Sequence, residues 1–169
     1  MSEEIFEIVD EEGNVLRTEK RGIAHRTGLL HKGIHGFVLN GKKEVFIQKR
    51  SLNKLIGQDK WDASIAEHLK PGEKFEEAFV RGVKEELDVK VKNIQKLGEI
   101  RPHFKAKGFD DNEIVQIFKS EFEGKIKLLE EEVAKGKWIA KEELLKEMDE
   151  NPEIFTQWLL GDRKFVEML

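Results

Sequence analysis

Cysteine and tyrosine are both absent from this 169-residue sequence, and proline occurs only three times. Without cysteine the chain cannot form disulfides, thiolate metal sites or a cysteine nucleophile. No apolar run approaches the ~20 residues that a membrane-spanning helix needs. The first residues also lack the basic and apolar regions of a secretory signal. We therefore expect a cytoplasmic protein that does not enter a membrane.

The balance of charge is mildly acidic, with 30 Lys and Arg against 34 Asp and Glu, a net charge of −4. Because the two signs are interspersed, the chain is not expected to coat a nucleic acid polymer, but a local basic pocket for a small phosphorylated molecule is allowed. The length and the 38% hydrophobic content fit one domain over residues 1–169. We expect a monomer or a homodimer.

Apolar alternation predicts most of the strands. The stretch Ile5 to Val9, a turn at 10–14 and a return at 15–16 predict an opening hairpin. A second hairpin is predicted around the two-residue turn signal Asn40-Gly41. A polar loop follows at 50–60, and further strands are expected at 61–66, 94–104, 113–122 and 137–139.

Helices are predicted at three places from residue 75 onward. The longest begins at Phe75, where apolar residues recur at helical spacing up to Leu87. Another covers 142–148, and a third begins at Asn151-Pro152 and includes Trp158. Strands and helices interspersed in one short domain predict an α/β or α+β sandwich.

The helix that begins at Phe75 carries two adjacent acids, Glu85 and Glu86, near its C-terminal end. Negative charge there opposes the helix dipole, and a bound hard cation such as Mg²⁺ or Mn²⁺ would relieve it. The alternative is a solvated, highly charged helix face without any ligand.

The segment 67–89 resembles the Nudix box, a glycine followed by a Glu, an Arg-Glu pair and a Glu-Glu pair at fixed spacing. The matching positions are Glu73, Arg81, Val83, Glu85, Glu86 and Val89. Three positions depart: Glu67 replaces the first glycine, Gly82 replaces the glutamate after the arginine, and Asp88 replaces the last glycine. The resemblance implies a Nudix α/β/α sandwich with a mixed sheet.

The same resemblance implies roles for the box residues. Glu85 and Glu86 would hold the divalent metal, and Glu73 and Arg81 would form a structural ion pair. Gly82 lacks a carboxylate on the face of the helix that carries the other two acids. We hypothesise that Glu67 returns a carboxylate to the site from the opposing segment.

A second set of metal-binding residue types is spread along the chain. Three neutral imidazoles with two oxygen donors would suit Zn²⁺ or Mn²⁺. The set consists of His25, His31, His68, Asp111 and Glu113. It is similar to that of the type 1 isopentenyl diphosphate isomerases, a branch of the Nudix superfamily, over about Ile5 to Trp158. The similarity implies that these five residues bind Mn²⁺ or Zn²⁺ and that Glu86 binds Mg²⁺ with the substrate.

The similarity to the isomerases also implies which residues hold the diphosphate and the organic group. Arg21, Arg50 and Lys54 match the basic residues that hold the diphosphate, and Trp158 matches an active-site tryptophan. Ala66 and Phe104, however, stand where the isomerases carry a proton-transferring cysteine and a tyrosine.

Three functions therefore remain open at this stage. The leading one is a Nudix hydrolase that cleaves a diphosphate linkage in a small nucleotide-like or isoprenoid metabolite, with Glu67, Glu85 or Glu113 as the general base. The second is an isomerase with altered acid and base groups, which retains Glu113 and Trp158. The third is a non-catalytic module that binds a diphosphate.

Overall fold

The computed structural model describes residues 3–126 and 133–169. Within these residues the strands are β1 (Ile5–Val9), β2 (Val15–Lys20), β3 (His31–Leu39), β4 (Glu44–Arg50), β5 (Trp61–Asp62), β6 (Ile65–His68), β7 (Lys92–Ile100), β8 (His103–Ala106), β9 (Phe109–Glu121) and β10 (Val133–Ala140). The helices are α1 (Arg21–Thr27), α2 (Phe75–Leu87), α3 (Lys141–Glu150), α4 (Gln157–Gly161) and α5 (Arg163–Val166), with a 3₁₀ turn at Pro152–Ile154.

Strand β3 is the centre of a mixed sheet. Along one edge it pairs in parallel with β9, from His31 opposite Glu113 to Leu39 opposite Glu121. Its other pairs are antiparallel and are made in turn with β1 at His31, with β6 at Gly33 to Gly36 and with β4 at Leu39. The predicted mixed sheet is confirmed.

Helices cover both faces of this sheet. The alternation of β3 sends Ile34 and Val38 toward α2, where they pack with Phe79 and Val83. Phe37 faces the other way, into a core shared with α3, α4 and α5. Helix α2 thus buries its apolar side against one face and α3, α4 and α5 bury theirs against the other, and the predicted α/β/α sandwich is confirmed.

The α2 helix is the best-predicted element. It runs from Phe75 to Leu87 as the apolar spacing indicates, with Ala78, Phe79, Val83 and Leu87 all fully buried. Its first turn carries Glu76 and Glu77, which suit the positive end of the helix dipole.

No helix among the described residues is long and apolar enough to cross a bilayer.

The second hairpin forms, but its turn is longer than predicted. Asn40 accepts backbone hydrogen bonds on its side-chain oxygen from Lys42 and from Glu44, each 3.0 Å long. This side-chain bridge spaces the loop over four residues, and Lys43 rather than Gly41 takes the left-handed conformation, with φ at 61°. The two strands then diverge, since β3 and β4 pair only at Leu39 and Val45.

Two predicted strands and one predicted helix are interrupted in the structure, so these three predictions were wrong. The stretch 61–66 contains two strands, because β5 pairs with β4 and β6 pairs with β3. The stretch 94–104 is interrupted at Pro102, which has no N–H for the ladder. The last helix does not continue from Asn151; Thr156 caps a separate α4, and its side chain accepts from the Leu159 N–H at 3.1 Å.

The diverging strands leave a space at the centre of the sheet, which β5 and β6 fill. This arrangement brings residues from α1, β6, α2, β9 and α4 around one cavity. The acidic run Glu130 to Glu132 of the sequence lies outside the described residues.

Candidate metal and phosphate site

A cavity of about 720 Å³ gathers nearly all of the residues singled out in the sequence. The predicted site residues in its wall are Arg21, His25, Arg50, Lys54, Glu67, His68, Glu85, Glu86, Asp111, Glu113 and Trp158. His31 is fully buried behind this wall. The structure thus brings these predicted residues around one cavity.

The four residues of the histidine cluster, His25, His31, His68 and Asp111, come from α1, β3, β6 and β9. One ligand atom from each lies within 4.8 Å of the others. The Nε2 atoms of His25 and His31 are 3.3 Å apart, and they lie 3.4 and 3.5 Å from Oδ1 of Asp111. Glu113 lies beside the cluster, with Oε1 3.5 Å from Nε2 of His68 and 3.9 Å from Nε2 of His31.

Strand register explains why these side chains meet. His31 stands opposite Glu113 in the parallel β3–β9 pair, and His68 stands opposite Gly33 in the antiparallel β3–β6 pair. Gly33 between them leaves room for the Glu113 carboxylate, which a Cβ at this position would displace. Residues 31, 33 and 35 share one face of β3, so the register places the cluster on the side of the sheet away from α2.

The histidines of the cluster are neutral. Burial, helped by repulsion from His31 and Arg21, lowers the pKa of His25 to about 3, and burial also lowers the pKa of His31 and of His68. The carbonyl of Leu29 can only accept, so Nδ1 of His31 donates to it at 2.8 Å. Nε2 of His31 therefore presents a lone pair to the cluster.

The pKa values of Asp111 and of the neighbouring Glu113 are shifted in the opposite direction. Burial raises the pKa of Asp111, and burial together with the charge of Asp111 raises the pKa of Glu113 to about 8. Oδ1 of Asp111 is buried without a hydrogen-bond partner among the described residues. An unpartnered carboxylate oxygen facing neutral imidazoles is the chemistry of a cation site, so the residues fit the Zn²⁺ or Mn²⁺ predicted from sequence.

The ring of Phe6, on β1, supports all three imidazoles. Its centroid lies 4.7 Å from the ring of His31, stacked, and 4.5 and 5.4 Å from those of His68 and His25. This packing restricts the rotation of the rings and excludes water from beneath them. Phe6 has a structural role that the sequence did not indicate.

The second part of the site is centred on Arg81 of α2. Its guanidinium donates to both oxygens of Glu73, at 2.7 and 3.0 Å, which confirms the ion pair predicted between them. It also donates to Glu67 at 3.1 Å, to Glu85 at 3.0 Å and to the carbonyl of His68 at 2.9 Å. Hydrogen bonds from Arg81 and Lys70 outweigh the effect of burial and lower the pKa of Glu73.

The two adjacent acids of α2 have different surroundings. Glu86 is buried, and Oε2 accepts from Nε2 of Gln48 at 2.8 Å. Glu85 is about half exposed and lies between Arg81 and Lys70, 3.4 Å from the lysine Nζ. Only Glu86 faces the buried end of the cavity, so the role of Glu85 as a metal ligand remains a prediction.

The basic residues of the cavity are held by acids and by a ring. Nη1 of Arg50 is 3.2 Å from Asp62, and its guanidinium lies over Trp158, 5.3 Å from the ring centroid. Arg21 is 2.9 Å from Glu4. With Lys54 these cations line the same cavity as the acids, as expected for groups that hold phosphate oxygens.

His35 was missed as a site residue. Its Nδ1 is 2.6 Å from Oδ2 of Asp162, both residues are buried, and His35 lines the cavity. Although burial opposes it, the charge of Asp162 raises the pKa of His35 to about 9. The two-residue spacing from His31 through Gly33 could have placed His35 on the same strand face, but no sequence signal connects it to an acid 127 residues away.

The positions that separate this site from an isomerase site are also in the cavity region. Ala66 lines the wall and stands opposite His35 in the β3–β6 pair. Phe104 lies next to Trp158, with ring centroids 6.0 Å apart. The methyl of Ala66 and the ring of Phe104 have no proton to exchange, whereas Glu113 and Trp158 are both present.

Comparison with known proteins agrees with this geometry. Residues 29–159 match the NUDIX domain family. An isopentenyl-diphosphate Delta-isomerase of Cereibacter sphaeroides is 31% identical over 153 residues, which cover 88% of this chain and 84% of that protein. One of Salmonella arizonae is 27% identical over 166 residues, covering 95% of this chain and 90% of that protein.

Solved structures show the same fold. The crystal structure of DR0079 from Deinococcus radiodurans has a TM-score of 0.79 at 22% identity, covering 98% of both chains. The MutT protein from Methanosarcina mazei has a TM-score of 0.66 at 20% identity, covering 82% of this chain and 94% of that one. The chain therefore belongs to the Nudix family, in a branch that resembles the isopentenyl-diphosphate Delta-isomerases.

Proposed function

We propose that the protein is a divalent-metal-dependent hydrolase that cleaves the diphosphate linkage of a small nucleotide-like or isoprenoid metabolite. The observation that carries this proposal is that one cavity is lined both by the acids Glu67, Glu86 and Glu113 and by the basic residues Arg21, Arg50 and Lys54. A cation bound by the acids would stabilise charge on phosphate oxygens and lower the pKa of an attacking water. A cytoplasmic location and a monomeric or dimeric state remain predictions.

Two of the basic groups, Arg50 and Arg21, can be given a task in such a reaction. The guanidinium of Arg50 is held in place by Asp62 and by the Trp158 ring. Because this side chain is already ordered, it loses little conformational entropy when it binds a phosphate oxygen. Arg21 lies at the cavity wall on α1, where its bond to Glu4 is exposed and can be exchanged for a phosphate. The substrate would therefore lie with its phosphates toward these residues and its organic group toward Trp158.

Among the three candidate bases, burial favours Glu67 and Glu113. Both lie at the cavity wall and are largely shielded from solvent, with side chains 18% and 6% exposed. The Glu85 side chain is 52% exposed and is held by two cations, which weakens it as a base. A cation near Glu113 would lower its raised pKa and leave it ionised to accept a proton.

The second candidate function is isomerisation of an isopentenyl diphosphate. The names of the relatives and the complete histidine cluster favour it. His35 favours it as well, since it is a protonated ring that lines the cavity opposite Ala66, the position of the missing cysteine. It could supply the proton that a methyl group cannot.

Both candidates can be tested in one experiment. The purified protein with Mg²⁺ or Mn²⁺ is offered isopentenyl diphosphate, dimethylallyl diphosphate, nucleoside diphosphates and dinucleotides, and phosphorus and proton NMR spectra follow the products. Glu86→Gln is the test variant, and Glu76→Gln, an exposed acid on the same helix, is the matched control.

Hydrolysis is supported by new phosphate signals that fall at least ~100-fold in rate in Glu86→Gln and stay unchanged in Glu76→Gln. Interconversion of the two isoprenoids without phosphate release would replace hydrolysis by isomerisation. Binding of these compounds without either reaction would identify the chain as a diphosphate-binding module.

A further inference from the structure

Two of the departures from the Nudix pattern, Glu67 and Gly82, face each other in the fold. Glu67 stands opposite Ile34 in the β3–β6 pair, on the face of the sheet that α2 covers. Gly82 is buried on the side of α2 that packs on β6. The glycine expected at 67 and the glutamate expected at 82 have therefore changed places across one contact.

Steric fit shows that the two departures depend on each other. A Cβ placed on Gly82 would lie 2.7 Å from Cγ of Glu67 and 3.0 Å from Cγ1 of Ile65. Real Cβ atoms do not approach other atoms as closely as 2.7 Å, so a side chain at 82 would force Glu67 out of this position. Glycine in the middle of a helix lowers its stability by about 1 kcal/mol relative to alanine. At position 82 the absence of a side chain leaves the space that Glu67 occupies.

The carboxylate of Glu67 lies with those of the α2 acids. Its Oε2 and the Oε2 of Glu85 share one nitrogen of Arg81, at 3.1 and 3.0 Å. The carboxyl of Glu86 is within hydrogen-bonding reach of Glu67. Two carboxyl groups in contact need a proton or a cation between them.

A separate observation also indicates a ligand at this place. Gln48, which is 7% exposed, uses its amide nitrogen on Glu86. Its amide oxygen Oε1 is buried and has no hydrogen-bond partner among the described residues. A buried amide oxygen beside carboxylates adds one more oxygen donor of the kind that Mg²⁺ or Mn²⁺ prefers.

We propose that Glu67 and Gly82 are a reciprocal exchange, in which strand β6 instead of helix α2 supplies a carboxylate ligand of the divalent cation held with Glu86. The competing explanation is that Glu67 only pairs with Arg81. That pairing is not needed to hold Arg81, because Glu73 binds the guanidinium through two hydrogen bonds and the His68 carbonyl through a third.

The test measures cation binding and does not require enzymatic turnover. The inference rests on the proposed function, because the cation in question is the one that the proposed hydrolase would use. Bound Mn²⁺ is measured by electron paramagnetic resonance, and the fraction that Mg²⁺ displaces reports the oxygen-ligand site and excludes the histidine cluster. The variants are Glu67→Gln, Glu67→Gly, Gly82→Glu and the double exchange Glu67→Gly with Gly82→Glu. Glu76→Gln is the charge-matched control.

We expect Glu67→Gln and Glu67→Gly to weaken the Mg²⁺-displaceable site by at least ~10-fold, since one charged ligand is lost. Gly82→Glu alone is expected to lower the thermal midpoint, because its side chain meets Glu67. The double exchange should recover both the midpoint and most of the Mn²⁺ affinity.

The proposal is overturned if Glu67→Gln leaves this affinity within twofold of the parent, or if the double exchange binds no better than Glu67→Gly. Loss of Mn²⁺ affinity in a chain that hydrolyses nothing would support the exchange and remove the hydrolase. Hydrolysis with unchanged Mn²⁺ affinity in Glu67→Gln would keep the hydrolase and remove the exchange.

Discussion

The histidine cluster and the acids around Arg81 line one cavity from opposite faces of the β3–β6 pair. The buried ionisable groups are stabilised in a different way in each. The imidazoles are neutral and pack against one another and on Phe6. Carboxylates cannot be brought together in this way, so Arg81, Lys70 and Gln48 hold Glu67, Glu73, Glu85 and Glu86.

This difference indicates how each half of the site responds to an empty or filled metal position. Neutral ligands carry little repulsion when no cation is present, whereas the acids depend on protein cations until a metal arrives. The stability of the metal-free chain should therefore depend more on Arg81 than on any single histidine of the cluster. The following predictions test this contrast, from the largest effect to the smallest.

Arg81→Met should have the largest effect on stability. It leaves Glu67, Glu73 and Glu85 without their shared cation, and we expect the free energy of unfolding to fall by about 3–4 kcal/mol in the absence of metal. Urea denaturation with and without Mg²⁺ measures the loss, and Mg²⁺ should restore part of it. Arg81→Lys, which keeps the charge but not the paired geometry, should lose less. A loss below ~1 kcal/mol would place these pairs among ordinary surface ion pairs.

The pH dependence of stability should show that, of two buried histidines, His25 is neutral and His35 is protonated. The folded pKa of His35 is raised to about 9, so its contribution is present below the unfolded value of 6.5 and is lost as the pH rises through 9. The full contribution is roughly 3 kcal/mol. The pKa of His25 is lowered to about 3, so the unfolded chain binds this proton more tightly and stability falls as the pH drops below 6.5.

Urea denaturation of the metal-free protein from acid to alkaline pH measures both limbs. His35→Gln should remove the fall in the free energy of unfolding at alkaline pH. The fall at acid pH, which is assigned to His25, should remain. An alkaline limb that is unchanged in His35→Gln would assign the decline to other groups.

His31→Gln should cost the histidine cluster at least ~100-fold in Zn²⁺ affinity, because it removes a fully buried ligand. Competition with a chromophoric chelator measures this affinity. His103→Gln is the matched control, since His103 is an exposed histidine outside the cluster. Equal affinities in the two variants would show that the cluster does not bind the ion.

Gln48→Leu should have the smallest effect. It removes both the hydrogen bond that orients Glu86 and the buried amide oxygen beside the site, and we expect Mn²⁺ binding to weaken by about tenfold. Isothermal titration with Mn²⁺ measures it, and Zn²⁺ binding at the histidine cluster should stay unchanged in the same variant. A simultaneous change at both positions would indicate that the two halves of the site are coupled.

Local patterns predicted the fold best. The predicted start of α2 at Phe75 agrees with the structure, and the last apolar position, Leu87, is its final residue, because helical contacts join residues three and four apart. Strand continuity was predicted poorly, since the break between β5 and β6 arises from two different partner strands and not from any residue in between. Pro102 was the one interruption that the sequence could have indicated.

The site was predicted through resemblance, and its details were not. The sequence does not distinguish Glu85 from its neighbour Glu86, but a helix turns about 100° per residue, so the Glu85 side chain is half exposed while Glu86 is buried. His35 remained unassigned because its partner, Asp162, is distant in the chain and becomes adjacent only when α4 and α5 pack on the sheet.

Phe6 lies beneath three imidazoles although it contributes no ligand atom. The ring belongs to the opening hairpin, which pairs with β3 only at His31. The geometry of the metal ligands therefore depends on whether this hairpin is docked, and any event that lifts it would loosen three ligands at once. A coloured ion such as Co²⁺ in the cluster would then serve as an optical reporter for the docking of a segment that never touches the metal.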